Sequence, residues 1–371
     1  MKNKLKIAVG MSGGVDSSVT ALLLVKAGYD VTGVFMKNWT KSKVSPYCSE
    51  EADRKDAIRV ATQLNIPFQV WDFEQEYKKR VMDVFFKEYQ AGRTPNPDIL
   101  CNQEIKFGLF LKRAIKQGFD KIATGHYARI KKDAAGQYHL LKAKDLNKDQ
   151  SYFLLALNQK SLARSIFPIG RLIKPEVRKI AKKAKLKTAD KKDSQGICFV
   201  GPVNVGKFLK TRLKEHPGEI VNQDGQVLGR HPGLAFVTIG QRHGLNIGGA
   251  GIPYYVAAKD YKKNRIIVGQ GNRNPLLFSK WLTVAKPHWV VKQPRLPAKC
   301  QARVRYRQPV RNCVINPSQP PLRKGRSDEI KIVFSKPQRA VTSGQYVVIY
   351  KGQELIGGGV IEQTEVTELI S

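Results

Sequence analysis

The sequence predicts an α/β chain: a doubly wound parallel sheet first, then a small β-rich domain, then a carboxyl-terminal β-barrel. Three observations lead there. Short apolar runs alternate with helical patterns up to about residue 200, which suits parallel strands covered on both faces. Beyond residue 205, Asp224-Gly225, Gly248-Gly249 and Lys351-Gly352 punctuate short runs rich in Val, Ile, Tyr and Phe, the pattern of hairpins. A length of 371 residues exceeds one ordinary domain and predicts two or three. The expected divisions are 1–204, 205–278 and 279–371.

Strand-like runs lie at Leu5–Val9, Val31–Met36, Phe68–Phe73 and Lys121–Thr124. Helical patterns separate them at Ser17–Ala27, Glu50–Leu64, Gln75–Gln90 and Ile105–Lys116. Ser49 can cap the second helix, and Glu50, Glu51 and Asp53 suit the positive end of its dipole. Lys174–Leu186 is an amphipathic helix with Pro175 in its first turn and Arg178, Lys179, Lys182, Lys183 and Lys185 on its polar face. That face is either solvated or set against phosphates. Asn316–Glu329 is a loop by composition. Parallel sheets bind ligands at the carboxyl ends of their strands, so the loops after Val9, Met36 and Thr124 are where chemistry is expected.

Composition bounds the function. With 42% hydrophobic and 26% charged residues, the chain is neither disordered nor a disulfide-stapled miniprotein. Its formal net charge of +35 points to a polyanionic partner. Residues 1–100 hold 15 basic and 12 acidic side chains, whereas residues 101–200 hold 23 and 8. The excess persists to the end, as expected for a binding surface assembled from several segments; a general lysine bias would give the same excess. Five cysteines, no leader-like apolar segment after Met1 and no apolar run near ~18 residues predict a reducing, cytoplasmic setting and no membrane span.

The sharpest signal is Gly10-Met11-Ser12-Gly13-Gly14-Val15-Asp16-Ser17-Ser18, which follows a strand and opens a helix. Glycines let backbone approach a phosphate, and N–H groups at a helix start form an anion hole. Asp16 can hold Mg2+ beside that phosphate. No Gly-Lys-Ser/Thr closes the loop, so it is not a Walker A motif. The string resembles the pyrophosphate loop of enzymes that cleave ATP to AMP and pyrophosphate, the ATP-pyrophosphatase (adenine nucleotide alpha-hydrolase-like) type.

Further strings narrow the resemblance: Thr94-Pro95-Asn96-Pro97-Asp98-Ile99-Leu100-Cys101-Asn102, Thr124-Gly125-His126-Tyr127-Ala128 and Lys148-Asp149-Gln150-Ser151-Tyr152-Phe153-Leu154. Asp193-Ser194-Gln195-Gly196-Ile197-Cys198-Phe199 and Ile239-Gly240-Gln241-Arg242-His243-Gly244-Leu245 complete the set. Together they resemble the tRNA-specific 2-thiouridylase (MnmA) family from about residue 4 to the end. That resemblance implies ATP-dependent thiolation of carbon 2 of the wobble uridine in tRNAs for Lys, Glu and Gln. It also implies a partner protein that donates persulfide sulfur. Lys185 stands before Leu186 where a glycine is usual, a departure that bears on a helix end.

Replacing oxygen by sulfur on uracil needs a leaving group, supplied by adenylation, and a sulfur nucleophile, which a cysteine persulfide supplies. A second thiol must then attack the sulfur–sulfur bond, leaving a transient disulfide. The resemblance makes Cys198 the persulfide carrier and Cys101 the releasing nucleophile; by themselves, both strings also accommodate structural thiols. Cys48, Cys300 and Cys313 read as buried or incidental. Residues Gly10 to Ser17, Met36 and Gly125 correspond to ATP-binding positions, although Met36 alone reads as core. Asn96, Pro97 and Asp98 match the segment holding the target base, with Asp98 in proton transfer or as a loop cap. His126, Lys148, Asp149, Gln150, Arg305, Tyr306 and Gln345 match tRNA-contacting positions. His126 equally reads as a structural histidine, and Arg305-Tyr306 as a solvated strand face. No zinc-like pairing occurs. An amidating synthetase shares such a loop but needs neither cysteine. An RNA-binding protein on a degenerate nucleotide fold would not need the intact loop.

Overall fold

The structure, a computed structural model, describes residues 4–40, 50–193, 196, 198, 200–201, 204–248, 251–317 and 329–369. Cys48, the Ser49 cap, Ser194, Gln195, Ile197, Phe199, Gly249 and loop residues 318–328 lie outside these.

The chain divides into two compact units, the first of residues 1–83, 97–204 and 353–356. Its parallel sheet is built from β1 (Lys6–Gly10), β2 (Asp30–Lys37), β3 (Phe68–Asp72) and β4 (Lys121–Ala123). With β7 (Ser165–Ile166) the order is β3-β2-β1-β4-β7, every neighbouring pair parallel. Central β1 is apolar and buried from Ile7 to Val9 because helices cover both of its faces. Helix α1 (Val15–Lys26) buries eight of its twelve residues, so Val19, Ala21, Leu22 and Leu24 join Ile7 and Val9 in one core. Burial of each such aliphatic side chain contributes roughly 1.5–3 kcal/mol. Helix α2 (Glu50–Gln63) adds Ala57, Val60 and Ala61.

Three expectations need correction here. The helix predicted from Ile105 begins earlier: α3 opens as Pro97–Leu100, continues as a π-helical stretch Cys101–Phe110 and closes as Leu111–Lys116. Pro97 fits that start because its missing N–H would be unsatisfied there anyway. Strands β5 (Ala128–Lys132) and β6 (Tyr138–Lys142) then form an antiparallel hairpin inside what reads as pure βαβα. Its lysines mask the strand period, and β6 pairs with Glu354 and Leu355, more than 200 residues away. Helix α4 (Lys174–Lys183) ends short of Leu186 because Lys185 takes a left-handed φ of +51°. Its N–H donates to Lys182 and that of Leu186 to Ala181, a helix-ending turn usually made by glycine.

The second unit comprises residues 84–96, 205–352 and 357–371. Helix α5 (Val205–Lys210) precedes β8 (Gly218–Val221), β9 (Val227–His231), β10 (Tyr254–Asp260) and β11 (Arg265–Gln270), a sheet of order β10-β11-β8-β9. Val237, Val256, Ile266 and Val268 are among its core residues. Then come β12 (Phe278–Val284), β13 (His288–Trp289), β14 (Ala298–Arg303), β15 (Arg311–Pro317), β16 (Ile330–Arg339), β17 (Tyr346–Lys351) and β18 (Glu354–Thr364). Pairing runs β12-β16-β15-β14-β17-β18 and returns to β12, which closes a barrel and removes its edges.

Candidate active site

The nucleotide-type loop sits at the carboxyl end of β1. Gly14 is the N-cap of α1 and no side chain caps the first turn, which leaves its N–H groups for an anion. Ser17 and Ser18 hydroxyls donate to the Gly14 carbonyl at 3.0 and 2.9 Å and tighten the loop. Gly13 has φ +72°, and a Cβ there would run into the Asp53 backbone of α2. At Gly125 a Cβ would lie 2.8 Å from the backbone of Asp16 and Ser17, so glycine lets the loop after β4 rest on the first turn of α1. The Met11, Val15 and Met36 side chains are buried; what Met11 and Val15 offer a ligand is therefore backbone.

Asp16 is already engaged. Both its oxygens lie 2.8 Å from the Lys174 ammonium, and the Tyr127 hydroxyl donates to Oδ1 at 2.8 Å. Burial and then Asp16 hold the Tyr127 hydroxyl well above its ordinary pKa, so it stays a donor. Lys174 also meets Asp193 at 2.8 Å, and Asp193 receives Lys148 at 2.6 Å and Arg178 at 3.1 Å. Burial alone would raise the Asp193 carboxyl; Lys148 and Lys174 outweigh it and hold it at about 2. Lys174 thus bridges the nucleotide-type loop to the segment that leads into Cys198.

The expected metal role of Asp16 meets this geometry directly. Among the described residues no three His, Cys, Asp or Glu side chains gather as a metal site. The residues therefore do not make a resident magnesium cage. One carboxylate suits Mg2+ only when phosphates and waters supply most of its ligands, as in a nucleotide complex.

The second constellation is sulfur. Cys101 opens the π-helical stretch of α3 and is buried, and its thiol lies 3.8 Å from Cys198 Sγ. Asp98, one turn earlier, accepts the Cys198 N–H at 3.1 Å, and the buried Tyr77 hydroxyl donates to the Cys198 carbonyl at 2.6 Å. Burial raises the Asp98 carboxyl, against the Cys198 N–H and Lys106. The two thiols diverge: burial pushes Cys101 well up, while the hydrogen bond from Cys101 followed by the Lys106 charge draws Cys198 down. Cys198 is thus the more acidic thiol of the pair and Cys101 the less acidic. The two sulfurs face each other although 97 residues separate them in sequence. Tyr77, Lys106, Lys174, Asp193 and Tyr127 were not singled out as site residues from sequence. Asp193 and Tyr127 lie within quoted strings, whereas Tyr77 carries no motif at all.

The residues matched to tRNA contacts fall in both units and are mostly engaged internally. His126 is 8% exposed between Phe107 and Phe167, and its Nδ1 lies 2.7 Å from the Thr124 hydroxyl. Burial and Lys106 keep its pKa well below 6.5, so the ring is neutral. Lys148 pairs with Asp193, Asp149 is buried and accepts from Ala143 and Ser151, and Gln150 accepts the Tyr127 N–H. In the second unit, Gln345 donates to the carbonyls of Thr94 and Pro95, at 3.0 Å each, just before Asn96. Arg305 and Tyr306 lie in a bend and turn after β14, not on a strand, because Arg305 reaches back to the Ile239 carbonyl and the Thr342 hydroxyl. On α4, Lys179, Lys182, Lys183 and the following Lys185 are exposed, whereas Arg178 is tied to the carbonyls of Ala189 and Lys191.

Three family models match in succession: the tRNA methyl transferase HUP domain over residues 5–202, the tRNA methyl transferase PRC-barrel domain over 206–270 and the aminomethyltransferase beta-barrel domain over 279–361. The architecture is thus that of a HUP-domain protein followed by two β modules. The tRNA-specific 2-thiouridylase MnmA of Shouchella clausii (strain KSM-K16) is 51% identical over 359 residues, covering 96% of this chain and 96% of the relative. That of Geobacillus thermodenitrificans (strain NG80-2) is 48% identical over 363 residues, covering 97% and 95%. The chain belongs to the tRNA-specific 2-thiouridylase family.

Proposed function

We propose that this protein is an ATP-dependent tRNA-uridine 2-sulfurtransferase acting on carbon 2 of the wobble uridine in tRNAs for Lys, Glu and Gln. The observation that carries the reading is the Cys101–Cys198 pair, 3.8 Å apart with Asp98 bonded to the Cys198 backbone, in a unit that also holds the Gly10–Ser18 loop. Methyl transfer, the word in two of the domain descriptions, needs neither paired thiols nor such a loop.

The chemistry follows in order. The uracil O2 attacks the α-phosphorus of ATP, the bond to pyrophosphate breaks, and the first-turn N–H groups of α1 hold the departing anion. Magnesium arriving with ATP would neutralise phosphate charge, and Asp16 is the side chain that would hold it. Lys174 keeps its contact to Asp193 when it yields Asp16. The outer sulfur of a Cys198 persulfide then attacks carbon 2. Cys101 gives its thiol proton to Asp98 as its sulfur attacks Cys198 Sγ, the old sulfur–sulfur bond breaks, and its electron pair stays on the transferred sulfur. AMP leaves as the carbon–sulfur double bond forms. The transferred sulfur is reduced and the two cysteines are oxidised to a disulfide, which an external thiol reductant must reopen. Asp98, its pKa raised by burial, accepts and returns a proton beside these sulfurs. A persulfide-bearing donor protein supplies the sulfur.

The test is direct. Protein, ATP, Mg2+, a persulfide source and unmodified tRNA are incubated, the tRNA is digested, and nucleosides are separated. 2-Thiouridine at the wobble position, with one AMP formed per sulfur, is expected. AMP formation without thiouridine, or turnover that needs no tRNA, would overturn the reading.

A further inference from the structure

Among the described residues, Cys198 has acids on several sides and one cation beside it. Tyr77, Asp98 and Cys101 face it, and the cation is Lys106, whose ammonium hydrogen-bonds the Cys198 sulfur and acts on Cys101 and Asp98. Lys106 follows Cys101 by five residues. On an ordinary α-helix five steps of about 100° would turn the two side chains about 140° apart. Here residues Cys101–Phe110 are π-helical, and a π-helix closes on the fifth residue, which brings Lys106 round to the side of Cys101. Glu104 on the same stretch points elsewhere, to Arg80 at 3.2 Å. Burial works against the Lys106 charge, but Cys198, Cys101 and Asp98 outweigh it and the ammonium stays protonated. The neighbouring His126 is neutral and adds no second cation.

We propose that Lys106 is a further catalytic residue, the cation that binds the anionic sulfur held at Cys198, first as thiolate and then as persulfide, and that the π-helical turn exists to aim it. In loading, the Cys198 thiolate attacks the outer sulfur of the donor persulfide. The donor sulfur–sulfur bond breaks, a donor thiolate leaves, and negative charge returns to the new outer sulfur once its proton departs. Lys106 faces an anion before and after this exchange and gives up no proton. The persulfide half of the inference rests on the sulfurtransferase reading; the thiolate half does not.

The experiment is therefore a thiol titration without tRNA or ATP. Full-length protein is alkylated with iodoacetamide across about pH 6 to 10, and the Cys198 peptide is quantified by mass spectrometry. Lys106→Met should raise the midpoint by about one unit or more and slow alkylation at neutral pH about tenfold, while Lys106→Arg restores most of the rate. If Lys106→Met does not fold, Lys106→Gln, which keeps a donor but no charge, must show the same displacement. An unchanged midpoint in either folded, uncharged variant overturns the inference, even if thiolation is lost. A displaced midpoint in the variants, with no 2-thiouridine made by the unaltered protein, overturns the sulfurtransferase reading instead.

Discussion

Cys101 Sγ stands 3.8 Å from Cys198 Sγ, with the Cys101 thiol as donor and the Cys198 sulfur as acceptor. The asymmetry has a physical source. Cys101 is buried in α3, where ionisation is opposed by desolvation, while Cys198 receives both the Cys101 thiol and the Lys106 charge. Two chemically identical side chains are thereby given different acidities.

Their variants should consequently fail at different steps. Cys198→Ser is expected to adenylate tRNA but to accept no persulfide, whereas Cys101→Ser still loads persulfide at Cys198 and cannot release product. Mass spectrometry after one turnover of the unaltered protein should find the Cys101–Cys198 disulfide. Full thiolation by Cys101→Ser would reduce that residue to a structural thiol.

Asp16→Ala should lower AMP formation by at least about 10²-fold in a folded protein, since it removes the carboxylate that would hold magnesium beside the pyrophosphate. Lys174→Met should do the same and also loosen the segment leading to Cys198, because Lys174 contacts Asp16 and Asp193 alike. Equilibrium ATP binding and limited proteolysis read the two effects separately. Normal AMP output from folded Asp16→Ala would remove this carboxylate from the site.

RNA binding should weaken steeply with salt. If about six phosphates are neutralised, log K falls with log salt at a slope of roughly −4 to −5. Reversing charge at the exposed Lys179, Lys182 and Lys183 should flatten that slope. A triple variant with the unaltered slope would show this face to be merely solvated.

Lys259 offers a pH test in the second unit. It is 5% exposed, its ammonium donates to the carbonyls of Gly92 and Leu234, and burial pulls its pKa down to about 7. Between that value and the ordinary lysine value near 10.5, the unfolded chain holds a proton that the folded one has released. Stability of this unit should accordingly rise with pH through that window, by up to about 1.4 kcal/mol per unit. Lys259→Met should abolish the slope. A denaturation series with the same slope in both proteins would mean that the two carbonyls keep the ammonium charged.

The alternation of β1, α1 and β2, the Gly10–Ser18 turn and the two later β modules were legible in sequence, because period, glycine placement and turn chemistry are local properties. The left-handed end of α4 was also marked, by a lysine where glycine is easier. Other features depended on tertiary partners. The β5–β6 hairpin carries no clear strand period and becomes a sheet element through Glu354 and Leu355. The roles of Arg305, Gln345 and Lys148 turned on distant carbonyls and carboxylates that their own strings do not contain. Asp16 itself was readable as an acid at a helix start, but its ion pair to Lys174 spans 158 residues. Which cysteine becomes the thiolate, and that Lys106 reaches it, depend on burial and on a π-helical turn. Both arise only when α3 packs against the Cys198 segment, since desolvation and Coulomb interaction are set by neighbours in space.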